Sequence, residues 1–211
     1  MRRFWIAVPM MLLCLLCACG GKETSPLQAP MDFRVSLLQA GGCRVKLEGT
    51  ADTSDRIWEF ALEANLQTDG TADLTLIRPE GVAGITAHLE GASGRLGCEE
   101  VSVEFGIPED ERLAPAAVPS TLILAWAEGY LASAGPDGTE ILAVYELGYD
   151  ADAVRVETWF DATGTPVRAE LGREGKTGIR LNLSNFELYS GGSYEAVEED
   201  LGGRVPGQSG P

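Results

Sequence analysis

The feature that most constrains this fold is a single helix-like segment set between two blocks of strand-like alternation. Ala116–Ala134 reads AAVPSTLILAWAEGYLASA. Pro119 suits a first helical turn, where its missing N–H has no partner to lose. Leu122, Ile123, Trp126, Ala127, Tyr130 and Leu131 then recur at helical spacing, and Gly135-Pro136 ends the pattern. Between Pro119 and Gly135 the only charge is Glu128. A helix apolar on nearly every side has to be covered, and this one is too short and too interrupted to span a bilayer. It is expected to lie across one face of an antiparallel sheet.

The flanking blocks support that sheet. Cys43, Val45 and Leu47 alternate with Arg44, Lys46 and Glu48. Trp58, Phe60, Leu62, Ala64 and Leu66 form the apolar side of the next run, and Asp69-Gly70 marks a hairpin turn into 72–78. Ile85, Ala87 and Leu89, then Val101, Val103 and Phe105, repeat the pattern. After the helix, strands are expected at 140–149, 154–160, 166–172 and 177–186, separated by Pro136-Asp137-Gly138, Ala162-Thr163-Gly164 and Glu174-Gly175. One-sided alternation describes an antiparallel sheet with one buried and one wet face. The fold class is therefore mainly β (α+β): a curved antiparallel sheet of roughly 9–11 strands with a helical lid. The short gaps favour a meander. Residues 32–40 form a short helix or strand ended by Gly41-Gly42.

The N-terminus carries the most specific functional signal. Arg2-Arg3 followed by the apolar run from Phe4 to Leu16 has the layout of a secretory signal peptide. Leu16-Cys17-Ala18-Cys19 resembles a bacterial lipobox, in which Cys19 is the residue acylated and Gly20-Gly21-Lys22 begins a tether. The expected organisation is a leader over 1–18, a lipid-anchored linker over 19–31, a body over 32–190 and a disordered acidic tail over 191–211. This places the body at the outer face of the cell membrane, held by diacyl (palmitate-type) chains on Cys19.

The formal net charge is −16. A surface this acidic repels phosphate backbones, so nucleic acid is not an expected partner. Of five cysteines, only Cys43 and Cys98 belong to the body. Neither stands in a metal-ligand spacing, so no metal is expected, and no cofactor is implied. Several strands separate the two thiols, which favours leaving them unpaired.

No catalytic constellation stands out. The single histidine, His88, falls on the outward side of its strand, and general-base work also needs an orienting partner. The acidic clusters Glu99-Glu100 and Glu109-Asp110-Glu111 read as solvated loops, and no enzymatic activity is expected. Trp58, Phe60, Leu122, Trp126, Tyr130, Tyr145 and Phe160 fall on inward faces. They serve equally as an ordinary core or as the wall of an apolar cavity for an acyl chain or apolar peptide.

Strand runs, a helix over the sheet, then further strands resemble the LolA/LolB-like lipoprotein carrier fold. RPEGVAGITAHLEG at Arg78–Gly91 and ETWFDATGTPVRAEL at Glu157–Leu171 look like uncharacterised Gram-positive lipoproteins similar to LolA-like germination lipoproteins. The resemblance covers roughly Phe33 to Leu188. It implies an unclosed half-barrel with a hydrophobic concave face capped by helices, and a lipid or lipoprotein ligand. The lipobox departs from the soluble carriers. From another class, the same chain reads as a scaffold that activates a cell-wall enzyme, and an envelope hydrolase is the third reading.

Overall fold

The computed structural model describes residues 25–52, 56–98, 101–106, 113–149 and 153–190. The expected leader, Cys19, the acidic clusters at 99–100 and 109–111, and the tail from 191 lie outside these residues. Eleven strands form one antiparallel sheet among the described residues: β1 (Gly42–Asp52), β2 (Ile57–Gln67), β3 (Ala72–Arg78), β4 (Thr86–Glu90), β5 (Ser93–Cys98), β6 (Val101–Gly106), β7 (Tyr130–Asp137), β8 (Glu140–Leu147), β9 (Val154–Phe160), β10 (Pro166–Arg173) and β11 (Lys176–Leu188). Helix α1 (Gln28–Ala40) precedes the sheet, and α2 (Val118–Ala127) connects its two halves.

The sheet order is β6-β5-β4-β3-β2-β1-β11-β10-β9-β8-β7. Each half is the expected meander, and the halves join where β1 pairs with β11. Among the described residues β6 and β7 each pair on one side only, so the sheet is open. Its curvature follows from what α2 touches. The helix packs on both β2 and β8, between which lie β1, β11, β10 and β9. Five strand spacings of about 4.8 Å would separate them by about 24 Å in a flat sheet, whereas ten helical residues extend about 15 Å. The sheet curls around the helix, as a half-barrel must, and α1 fills the centre against β1 and β11.

Three expectations change. The helix read over 116–134 stops at Ala127, and Tyr130 begins β7. The stop falls at Gly129, whose N–H slips from the α-helical register by reaching the Leu124 carbonyl at 3.2 Å as well as that of Ala125 at 3.1 Å, in a conformation where a Cβ would collide with the Ala125 oxygen. Tyr130 is accordingly 69% exposed rather than inward. Second, α1 begins at Gln28, within the stretch expected as linker. Pro30 sits in its first turn and is buried, a position where no backbone donor is needed. Third, Pro136-Asp137 belong to β7, and the turn falls at Gly138, φ 65°.

Elsewhere the turn chemistry is as expected. Gly70 takes φ 91°, and Asp69 Oδ1 accepts from the Thr71 N–H at 2.9 Å. Glu174 and Gly175 both take positive φ (52° and 75°), the signature of a two-residue hairpin turn matched to strand twist. Cys43 is buried in β1, Cys98 is exposed on β5, and both are free.

Candidate functional site

The concave face is built from cross-strand rows, because residues opposite one another in register share a face. One row runs Trp58, Ala51, Ile179, Leu171, Val156, Tyr145 and Leu131 from β2 across to β7. The next carries Phe60, Gly49, Leu181, Ala169, Thr158 and Ala143. Six of the seven residues singled out from sequence therefore belong to this face or to the helix on it. Tyr130 does not.

Over the centre of the face the space is filled. Leu122, Ile123, Trp126, Tyr145 and Phe160 are completely buried. The Phe33 ring of α1 meets Trp126 edge-on at 5.4 Å and Phe160 at 5.1 Å, and Phe186 closes the cluster 5.7 Å from Phe33. Trp126 Nε1 donates to Thr158 Oγ1 at 2.9 Å. That bond joins helix to sheet between two buried groups, each of which would otherwise carry an unpaired polar atom.

Arg34 joins the two helices. Its Nε donates to the Trp126 carbonyl at 2.7 Å, and its second nitrogen donates to the Gly129 carbonyl at 2.6 Å. A cation placed on the last carbonyls of α2 satisfies orphan acceptors and complements the helix dipole. The same guanidinium lies 5.4 Å from the Tyr145 ring centre. Burial raises the Tyr145 phenol above its ordinary range, with Arg34 acting the other way, and the hydroxyl has no hydrogen-bond partner among the described residues. Burial likewise pushes the Cys43 thiol up to about 12. Sequence reading missed Arg34, Phe33 and Phe186 as members of this cluster. The available signal was Arg34 standing beside Phe33 in a helix that carries only one other charge, Asp32.

The concave face comes out into the open at the β4–β6 wing. A row runs Ala64, Leu74, Ala87, Leu96 and Val103. Its first three residues are buried, Leu96 is 38% exposed and Val103 is 56% exposed. In the adjacent row, Phe105 lies over Gly94, in space that a Cβ would occupy. Val101 on the same strand is also exposed. At the far end of β2, Trp58 is 48% exposed beneath Arg56. This occurs because β3 pairs with β2 only from Ala61 onward.

The opposite face carries charge. Glu187, Arg44, Asn65, Asp73, His88, Arg95 and Glu104 form one transverse row from β11 to β6. His88 Nδ1 lies 2.7 Å from Asp73 Oδ1, and Arg95 lies 3.2 Å from Glu104. His88 thus has an aspartate partner. The pair is half-exposed and is one rung of a surface ladder, beside an open groove of about 650 Å³ lined by Glu90, Arg95 and Glu104. Asp161, in the β9–β10 turn, is held below the usual carboxylate range. The main cause is the Thr163 hydroxyl, aided by backbone N–H groups of the turn.

No protein-family model and no curated protein matches the chain. Among solved structures it is similar to a LolA superfamily protein from Nitrosomonas europaea, at 14% identity and a TM-score of 0.43, covering 74% of this chain and 93% of that one. It is also similar to an uncharacterized conserved protein from Thermus thermophilus, at 11% identity and a TM-score of 0.43, over 77% of this chain and 86% of that one. A third is the Mycobacterium tuberculosis lipoprotein LppX, at 13% identity and a TM-score of 0.37, over 77% and 96%. These are likenesses of fold alone.

Proposed function

We propose that this chain is an envelope lipoprotein, held at the extracytoplasmic face of the membrane through acylated Cys19. In this reading it binds an acyl chain or apolar peptide on the open β4–β6 wing of its half-barrel and catalyses no reaction of its own. The observation that carries the reading is the apolar row that leaves the core at Ala87 and reaches solvent at Leu96 and Val103. A contiguous exposed apolar patch on an otherwise strongly charged molecule marks an interaction surface. The position differs from a cavity beneath α2, because Leu122 and Trp126 are already fully packed. Within this reading Leu122, Trp126, Tyr145 and Phe160 form the packed centre of the half-barrel, while Trp58 and Phe60 offer a second apolar contact at the start of β2.

Titration with a dansyl-labelled dodecanoyl peptide tests this. Leu96→Glu with Val103→Glu should weaken binding at least tenfold, about 1.4 kcal/mol. That loss is of the size expected when the burial of two half-exposed apolar side chains is removed. The urea midpoint should barely move, since neither residue is in the core. Binding that survives the double change but is lost in folded Leu122→Gln would return the site to the space under α2.

One observation favours the scaffold reading instead. Among the described residues β6 pairs only with β5, so a partner's strand can extend the sheet there by backbone hydrogen bonds. Absence of acyl binding, together with a cross-link from β6 to a cell-wall enzyme that Val103→Pro abolishes, would put that reading first.

A further inference from the structure

Helix α1 has two apolar faces, and the sheet uses only one. Pro30, Phe33 and Leu37 are buried against the half-barrel. Leu27, Met31, Val35 and Leu38 follow one another at spacings of four, four and three, which keeps them on one side of a helix. These four lie between 45% and 49% exposed. The only charges in the helix are Asp32 and Arg34, and Arg34 is turned onto the carbonyls at the end of α2. A chain of net charge −16 therefore presents an uncharged apolar stripe beside its N-terminal entry.

We propose that this stripe rests in the headgroup region of the membrane, fixing the orientation in which the half-barrel stands on its anchor. The inference rests on the lipoprotein reading of Cys19. What selects the bilayer as occupant is the length of chain before the body. Only five residues separate Cys19 from Ser25, and the six Cα-to-Cα steps between them, at no more than about 3.6 Å each, reach about 20 Å. The first turn of α1 is thus the part of the body closest to the anchored lipid, and its exposed side is apolar. A helix with an apolar outer face lies in the interface plane, with that face among the upper acyl chains. The acidic character of the body requires a contact made by uncharged side chains, as Leu27, Met31, Val35 and Leu38 supply. In this orientation α1 faces the membrane.

The test uses the full-length protein, purified from membranes and reconstituted into phosphatidylcholine vesicles containing doxyl-labelled lipid. A bimane probe is placed at Met31→Cys or Val35→Cys in a Cys98→Ser background, with Lys176→Cys on the β10–β11 turn as the remote control. The mass of the N-terminal peptide is measured on the same samples. The expected result is a diacylated Cys19, with lipid quenching at 31 and 35 at least fivefold stronger than at 176. The quenching should be abolished when Leu27 and Leu38 are both changed to Glu. A diacylated Cys19 without quenching at 31 and 35 overturns the docking and leaves the anchor standing. An unmodified Cys19 overturns both. Burial of the probes without vesicles, rising with protein concentration, assigns the stripe to a second copy and overturns the membrane contact.

Discussion

Arg34 donates to the carbonyls of Trp126 and Gly129 while stacking near Tyr145, so one side chain secures the end of one helix from another. Each charge-assisted bond of this kind is worth roughly 1.5–3 kcal/mol, and losing it strands a carbonyl. Arg34→Met should lower the unfolding free energy by about 2–3 kcal/mol in urea. Arg34→Lys should recover only part of that, because an ammonium lacks the planar fork that reaches two carbonyls. The two thiols of the body should also separate cleanly. Cys98 should alkylate at once in the folded protein, whereas Cys43 should react only after denaturation. Burial raises the Cys43 thiol to about 12, against about 8.5 in an unfolded chain. The folded state therefore holds its proton where the unfolded state releases it. Stability from this group is complete below about pH 8.5 and falls as pH rises towards 12, by up to about 1.4 kcal/mol per pH unit. Cys43→Ala should move the onset of alkaline destabilisation upward to about pH 10, where unfolded tyrosines ionise. An unchanged onset would contradict the burial of that thiol.

At the scale of elements, Gly129 decides where the helix becomes a strand. Gly129→Ala should cost about 1–3 kcal/mol through collision of the new Cβ with the Ala125 carbonyl. A thermal unfolding curve indistinguishable from wild type would count against the turn as described. The same residue explains a misreading. Tyr130 and Leu131 continue the helical spacing of Trp126 and Ala127, so periodicity alone carried the helix into β7. Most strands were legible because one side of each meets the core: β3 and β9 have the bounds expected of them. β5 was not, because Ser93–Cys98 holds two glycines and, besides its terminal cysteine, a single apolar residue, Leu96. Its place in the sheet comes from neighbours on both sides rather than from its own pattern. The inward faces of Trp58, Phe60, Tyr145 and Phe160 were legible by alternation. That Trp58 would be half-exposed was not, since this depends on where β3 leaves β2.

For the whole molecule, the pairing of β1 with β11 joins strands from opposite ends of the body, a non-local contact that no local pattern announces. It makes one half-barrel from two meanders, and α2 bridges both wings. A packed centre and an open edge follow from that topology. Among the described residues the helices pack on β1, β2, β8 and β11, while Leu96 on β5 and Val103 on β6 remain exposed, and it is at this wing that the proposed ligand meets the molecule. Hydrogen–deuterium exchange, read by mass spectrometry with and without a dodecanoyl peptide, tests this most directly. The account predicts that exchange slows across residues 93–106, while α2 is already slow and does not change. Slowing confined to α2, or none in either segment at saturating ligand, would contradict it.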